Sequence, residues 1–180
     1  MPQDGRPGID ASSQYRLYLK VLAFDRNFTA RVGDGLIIGV FFAGAVKESR
    51  QAMDDFARAV AEGPADFEGL PVRLVPIKYG KAAEIETSLI EGSVDVLYVT
   101  PLGPADLSGV SAVCRARKVP TFTGVPEYVE RGLSVSFGLS GRKAEVLINL
   151  GSSRAEGSDF SARLLDMVTV VDAASCGKGA

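Results

Sequence analysis

The sequence contains no histidine in 180 residues. That excludes Ser-His-Asp and Cys-His catalysis, imidazole-ligated metals and a histidine pH switch. Only two cysteines occur, too few for a disulfide scaffold or a four-cysteine zinc site. Neither sign of charge dominates: 20 Lys and Arg stand against 22 Asp and Glu, which argues against a general nucleic-acid binder. Long hydrophobic runs are missing too. The longest mostly apolar stretch, Gly35 to Val46, has 12 residues and is interrupted by Gly39 and Gly44. A bilayer-spanning helix takes about 20. The opening Met1-Pro-Gln-Asp-Gly-Arg-Pro-Gly has no apolar segment of the signal-peptide kind. Two locations are therefore expected as alternatives: the cytosol, or the periplasm with a start Met standing in place of a removed signal.

What is present is a core. Apolar residues make up 46% of the chain, and a domain of this length can bury roughly 70% of its extended-chain surface without staples. Residues 1–12 read as a loose, Pro- and Gly-rich leader. Ser13 is the expected cap of a helix over 14–31, with Leu17, Val21, Phe24 and Phe28 on one stripe. Leu36 to Phe42 is uniformly apolar, as in a strand covered on both faces. Helical spacing over 46–62, 82–91 and 105–118 alternates with strand-like runs over 71–78, 94–100 and 120–123. Pro76 pushes the strand at 71–78 toward an edge. A short helix is expected over 126–131. The segments 133–139 and 143–150 alternate around Ser140-Gly141-Arg142 and predict a hairpin, followed by a last helix over 159–171 and a polar tail over 173–180. The expected fold is a single α/β domain over 13–172. It is a three-layer α/β/α sandwich whose mostly parallel, mixed sheet of five or six strands ends in an antiparallel hairpin. Ile38, Val40, Leu97 and Ile148 are expected in its core.

Motifs that would carry chemistry fail on context. Gly33-x-Gly35-x-x-x-Gly39 precedes a strand instead of opening a helix, so it reads as a turn. The S-x-x-K spacings at Ser140 and Ser175 fall in a turn and in the tail. Asp54 and Asp55 are adjacent on a helix and read as a solvated face, while Arg115, Arg117 and Lys118 complement a helix C-terminus. Cys114 lies on an apolar helix face and reads as a small core residue, whereas Cys176 sits in the tail. The two are the candidate redox pair if their alpha carbons come within about 7 Å. Architecture gives the best ligand position. Open α/β sheets bind beyond the carboxyl ends of their strands, where Gly44, Thr100, Thr123 and Gly124 are the candidate ligand contacts. No catalytic residue, cofactor or metal is expected.

A whole-chain order also resembles a known family. Tyr15 to Phe28 forms an aromatic first helix, followed by Leu36-Ile-Ile-Gly-Val-Phe, Gly69-Leu-Pro-Val-Arg-Leu74 and Val94-Asp-Val-Leu-Tyr-Val-Thr100. Val119-Pro-Thr-Phe-Thr-Gly124, Val146-Leu-Ile-Asn-Leu150 and Ser161 to Val170 close the series. This order, over about 14–171, resembles the YfiR-like (HmsC-like) bacterial periplasmic regulators. Asn27-Phe28-Thr29 stands where that family commonly has a W-P pair. The resemblance implies a non-enzymatic periplasmic protein. Its partner would be a membrane-bound sensor or diguanylate cyclase, bound through the periplasmic domain, with control of cyclic-di-GMP and biofilm formation. It leaves room for a homodimer. Tyr15 and Tyr18 are then the candidate partner contacts, because aromatics are favoured at interface hot spots. The alternative is a small-molecule-binding domain like one lobe of a periplasmic solute-binding protein.

Overall fold

The computed structural model describes residues 8–171. The first helix starts earlier than its spacing suggests. Asp10, not Ser13, is the cap of α1 (Ala11–Ala23): its carboxylate accepts the Ser13 N–H at 2.9 Å and the Ser13 hydroxyl at 2.7 Å. Residues 8–12 are thus part of the domain, not leader, and Gly8 N–H donates to the Gly124 carbonyl at 3.3 Å. The expected single helix over 14–31 is two. Asp25 accepts the N–H groups of Asn27 and Phe28, which ends α1 and begins α2 (Arg26–Arg31). The break is fixed from outside as well, since Arg26 N–H reaches the Asp159 carbonyl and Ser161 N–H reaches that of Phe24, both at 3.0 Å.

Strand β1 (Leu36–Phe42) leads through α3 (Lys47–Glu62) to the hairpin of β2 (Asp66–Phe67) and β3 (Leu70–Lys78). Then come α4 (Ala82–Glu91), β4 (Val96–Val99), α5 (Ser108–Arg117), β5 (Thr121–Thr123) and a 3₁₀ turn at Pro126–Tyr128. The described residues close with β6 (Val135–Ser140), β7 (Lys143–Asn149), α6 (Leu150–Ala155), α7 (Ala162–Leu165) and β8 (Thr169–Val171). Among the described residues the sheet has eight strands, in the order β2-β3-β1-β4-β5-β6-β7-β8. Strands β3, β1, β4, β5 and β6 are parallel, β2 and β7 run antiparallel to their inner neighbours, and β8 is parallel to β7. The fold class is the expected three-layer α/β sandwich, with more strands than the five or six expected. The two extra strands are short. β2 closes a two-residue turn in which Glu68 and Gly69 both have positive φ, the geometry of a tight hairpin. β8 lies inside the expected last helix, which is only one turn long. Beyond that turn the β-branched Thr169, Val170 and Val171 pair with Leu147, Ile148 and Asn149. Pro76 does sit in a strand whose outer side is mostly unpaired, because β2 covers only Leu70 and Pro71.

The continuous apolar strands serve two cores. Leu36, Ile38 and Val40 of β1 and Val96 and Tyr98 of β4 face α1 and α3. Phe41, Leu97 and Val99 face α4 and α5. Ile38, Val40, Leu97 and Ile148 are all buried, as expected. The α1/α3 core is aromatic: Tyr18 stacks on Phe122 with centroids 3.5 Å apart, and Phe56 on Tyr98 at 4.0 Å. This removes the expected docking surface. Tyr15 is 0% and Tyr18 1% exposed, and the Tyr15 hydroxyl donates to the Pro64 carbonyl at 2.7 Å. Their rings fill the space between α1, α3 and the sheet, so neither can meet a partner.

Candidate functional site at the carboxyl ends of the strands

The parallel strands read 2-1-3-4-5 in chain order, an arrangement that reverses direction between its first and third members. Here those are β1 and β4. The chain leaves β1 toward α3 on one face and leaves β4 toward α5 on the other, so the loops at 43–46 and 100–107 part and form a crevice. All four expected ligand contacts stand at this end, but they do different work. Thr100 and Thr123 are fully buried. The Thr100 hydroxyl donates to the Phe41 carbonyl at 2.8 Å. Ser49 Oγ must then donate to Thr100, 2.6 Å away, while accepting the Ala43 N–H at 2.8 Å. The Thr123 hydroxyl donates to the Val99 carbonyl at 2.7 Å and accepts the Val125 N–H at 3.2 Å. These hydroxyls tie the crevice loops to the strands and present no proton to a ligand, which corrects their expected role. Gly44 is exposed, with its carbonyl held by the Arg50 guanidinium. Gly124 is buried beneath the side chain of Gln14.

Beside the crevice, on the α1/α3 face, opens a cleft of about 400 Å³. Ile9, Asp10 and Gln14 from the start of α1, Ala52 and Asp55 from α3, and Tyr98 from β4 line it. Gln14 is fully buried: its Nε2 donates to the Ile9 carbonyl at 2.8 Å and its Oε1 accepts the Tyr98 hydroxyl at 2.9 Å. Burial pushes the Tyr98 hydroxyl well above the usual tyrosine range, and the charge of Asp55 pushes it the same way. Asp55 therefore faces the cleft, not only solvent as its position beside Asp54 suggested; its carboxylate also accepts from Gln51 at 3.0 Å. Hydrogen bonds from the Ser13 hydroxyl and N–H hold the Asp10 carboxyl below its ordinary range. The lining has two carboxylates and no basic side chain. Gln14 and Tyr98 were not singled out by sequence reasoning, and Asp55 was read only as part of a solvated face. The available signal was Gln14, a polar residue four before Tyr18 on the buried stripe.

A second hollow of similar size lies at the amino ends, around Gly35, Arg73 and Asp95. The Asp95 carboxylate there accepts the Ile37 N–H at 2.8 Å and so ties two strands together. It stands at the end of a parallel sheet where ligands are not expected. Cys114 is buried on α5 as expected, and burial, followed by the charge of Glu156, pushes its thiol well above the usual range. Cys176, and with it the candidate pairing, lies outside the described residues. Among the described residues no group of three or more Cys, Asp or Glu is placed to hold a metal ion, and no helix is long and apolar enough to cross a membrane.

No family model and no curated protein matches the chain. Solved structures do. One is an ABC domain from Streptococcus pneumoniae in complex with L-Trp, 14% identical, with a TM-score of 0.62 over 95% of this chain and 68% of its own. A second is a conserved domain protein from Vibrio cholerae O1 biovar eltor, 16% identical, TM-score 0.61, covering 89% of this chain and 59% of that one. A third is a substrate-binding protein with adhesive properties from Clostridium difficile in its ligand-free, open form, 15% identical, TM-score 0.61, covering 96% and 66%. The chain thus spans about three-fifths to two-thirds of the length of these proteins. At such identities the likeness establishes the fold alone, an α/β domain with a mostly parallel sheet.

Proposed function

We propose that the chain is a small-molecule-binding domain of the solute-binding type, acting by binding and not by turnover, in the periplasm. The observation that carries this reading is the cleft beside the β1/β4 crevice. It lies at the end of the sheet where such folds take ligands, and its polar groups converge on one space. The fold neighbours, one with L-Trp bound and one described as substrate-binding, support it. Asp10 and Asp55 give the lining two carboxylates and no basic side chain, although the Arg58 guanidinium stands 3.6 Å from Asp55 outside the lining; this balance favours a ligand with a cationic group, and Ile9, Ala11 and Ala52 supply an apolar wall. The regulatory reading, restraint of a membrane-bound diguanylate cyclase, rests on the sequence resemblance alone, and its docking residues are in the core.

Calorimetric titration with amino acids and polyamines, against dicarboxylates and neutral sugars, tests the proposal. Saturable binding of an amine is expected, weakened about tenfold, equivalent to about 1.4 kcal/mol, by Asp55→Asn. Binding of none of these compounds at millimolar concentration, or binding indifferent to Asp55→Asn, overturns it.

A further inference from the structure

At the opposite end of the sheet a single carboxyl group joins three elements. Glu156 follows α6 and is fully buried. Its Oε2 accepts the Thr121 N–H at 2.8 Å and the Ser134 hydroxyl, and its Oε1 accepts the Thr121 hydroxyl at 2.9 Å. Thr121 opens β5 and Ser134 directly precedes β6, and the Ser134 N–H itself donates to Thr121 Oγ1 at 2.9 Å. The charged and titratable groups that face Glu156 are Arg115 and Cys114 from α5 and Tyr18 from α1. Arg115 does not bond the carboxylate. Its guanidinium donates to Ser152 Oγ at 3.0 Å and to the Gly132 carbonyl at 3.3 Å, so it offsets the buried charge only from a distance. Burial raises Cys114 and Tyr18 well above their usual ranges, which keeps both neutral. The geometry also accommodates the protonated acid. A proton on Oε1 can be donated to Thr121 Oγ1, whose hydroxyl then turns from donor to acceptor beside the Ser134 N–H it already accepts.

We propose that Glu156 is a pH-sensitive latch: protonated, it fastens the end of α6 to the amino ends of β5 and β6, and ionised it loosens that attachment. Burial drives the effect. It outweighs the hydrogen bonds from Ser134 and Thr121 and the field of Arg115, and lifts the carboxyl to about 7 from an ordinary 4.5. A group raised in the folded state stabilises fully below its unfolded value and loses that contribution as pH rises through the folded one. Opening of the segment exposes the carboxylate to water, so opening becomes easier as pH rises.

Hydrogen exchange read at the amides of Glu156, Gly157 and Ser158 tests this in the full chain. These amides donate to the Ser152, Arg154 and Ser153 carbonyls and report the end of α6. After correction for intrinsic exchange, their opening constants should rise about tenfold between about pH 6 and about pH 8, from linkage at the stated shift. In Glu156→Gln, which keeps one acceptor and gains a donor toward Thr121 Oγ1, they should change less than about twofold. A wild-type response below about twofold, or an equal response in both proteins, overturns the latch. Carboxyl-carbon NMR of the wild-type glutamates gives an answer even if the variant does not fold: one glutamate should titrate near neutrality, and titration of all of them in the ordinary acidic range overturns the proposal.

Discussion

Replacing Gly124 with alanine probes the floor of the cleft directly. A Cβ on this residue would lie 2.4 Å from Nε2, 2.5 Å from Oε1 and 2.7 Å from Cδ of Gln14, closer than real atoms pack. A flexible amide could usually swing away. This one is fully buried and holds both the Tyr98 hydroxyl and the Ile9 carbonyl, so moving it breaks two hydrogen bonds. Tyr98 is 1% exposed, and its stranded hydroxyl costs about 1–3 kcal/mol. Overpacking adds a comparable amount, so a total of about 3 kcal/mol is expected. In a domain of this size that lowers the melting temperature by about 6–12 °C. Urea unfolding at fixed m-value measures the loss, and a double-mutant cycle identifies its cause. In a Gln14→Ala background the added methyl meets no amide, so Gly124→Ala should cost less than about 1 kcal/mol there. Equal costs in both backgrounds, or a neutral Gly124→Ala in the wild type, would refute this account of the cleft floor.

Three further outcomes follow from the same contacts. Global stability of the wild type should fall by up to about 3 kcal/mol as pH rises from about 4.5 through about 7, from a shift of that size on one buried carboxyl; denaturant melts of Glu156→Gln should lack this slope. Ser49→Ala leaves the Ala43 N–H without its acceptor and should lower stability by about 1–3 kcal/mol in urea unfolding, and an unchanged midpoint would count against the Ala43–Ser49–Thr100 chain. Cys114, buried and with its thiol raised, should resist a thiol reagent in the native protein and react once the protein is unfolded in urea, as read by mass spectrometry of its peptide.

The alternation of helices and apolar strands was legible because each strand carries its own evidence. Val96 to Val99 can be apolar throughout only if both faces are covered, and the structure covers both. Boundaries set by single side chains were less legible. Asp10 and Ser13 both qualify as caps, and only the chain path before α1 selects Asp10. Asp25 looks like an ordinary residue of a long helix until Asp159 and Ser161 arrive from the far end of the chain to occupy its neighbours' backbone groups. The last strand was hidden for a related reason. Leu164, Leu165 and Val168 have helical spacing, and β7 then captures the β-branched residues that follow.

The candidate site divides along the same line. Its place was legible from topology, since glycines and hydroxyls at strand ends mark the crevice rim. Its chemistry was not, because it depends on a pair far apart in sequence, Gln14 and Tyr98, separated by 84 positions; at the opposite end of the sheet Thr121 and Glu156, 35 positions apart, were hidden in the same way. A glutamate after a short helix has no periodicity to betray burial, and Glu156 follows Arg154-Ala155 as a solvated residue would. What buries it is β7 turning back to the amino ends of the parallel strands, which places α6 over Thr121 and Ser134. β5, three residues long, joins the two ends: Thr121 is held by Glu156, and Thr123 leads directly to Gly124 beneath Gln14. A strand this short has little room to deform between them. Its anchoring at the amino end therefore bears on how firmly the floor of the cleft is held at the other.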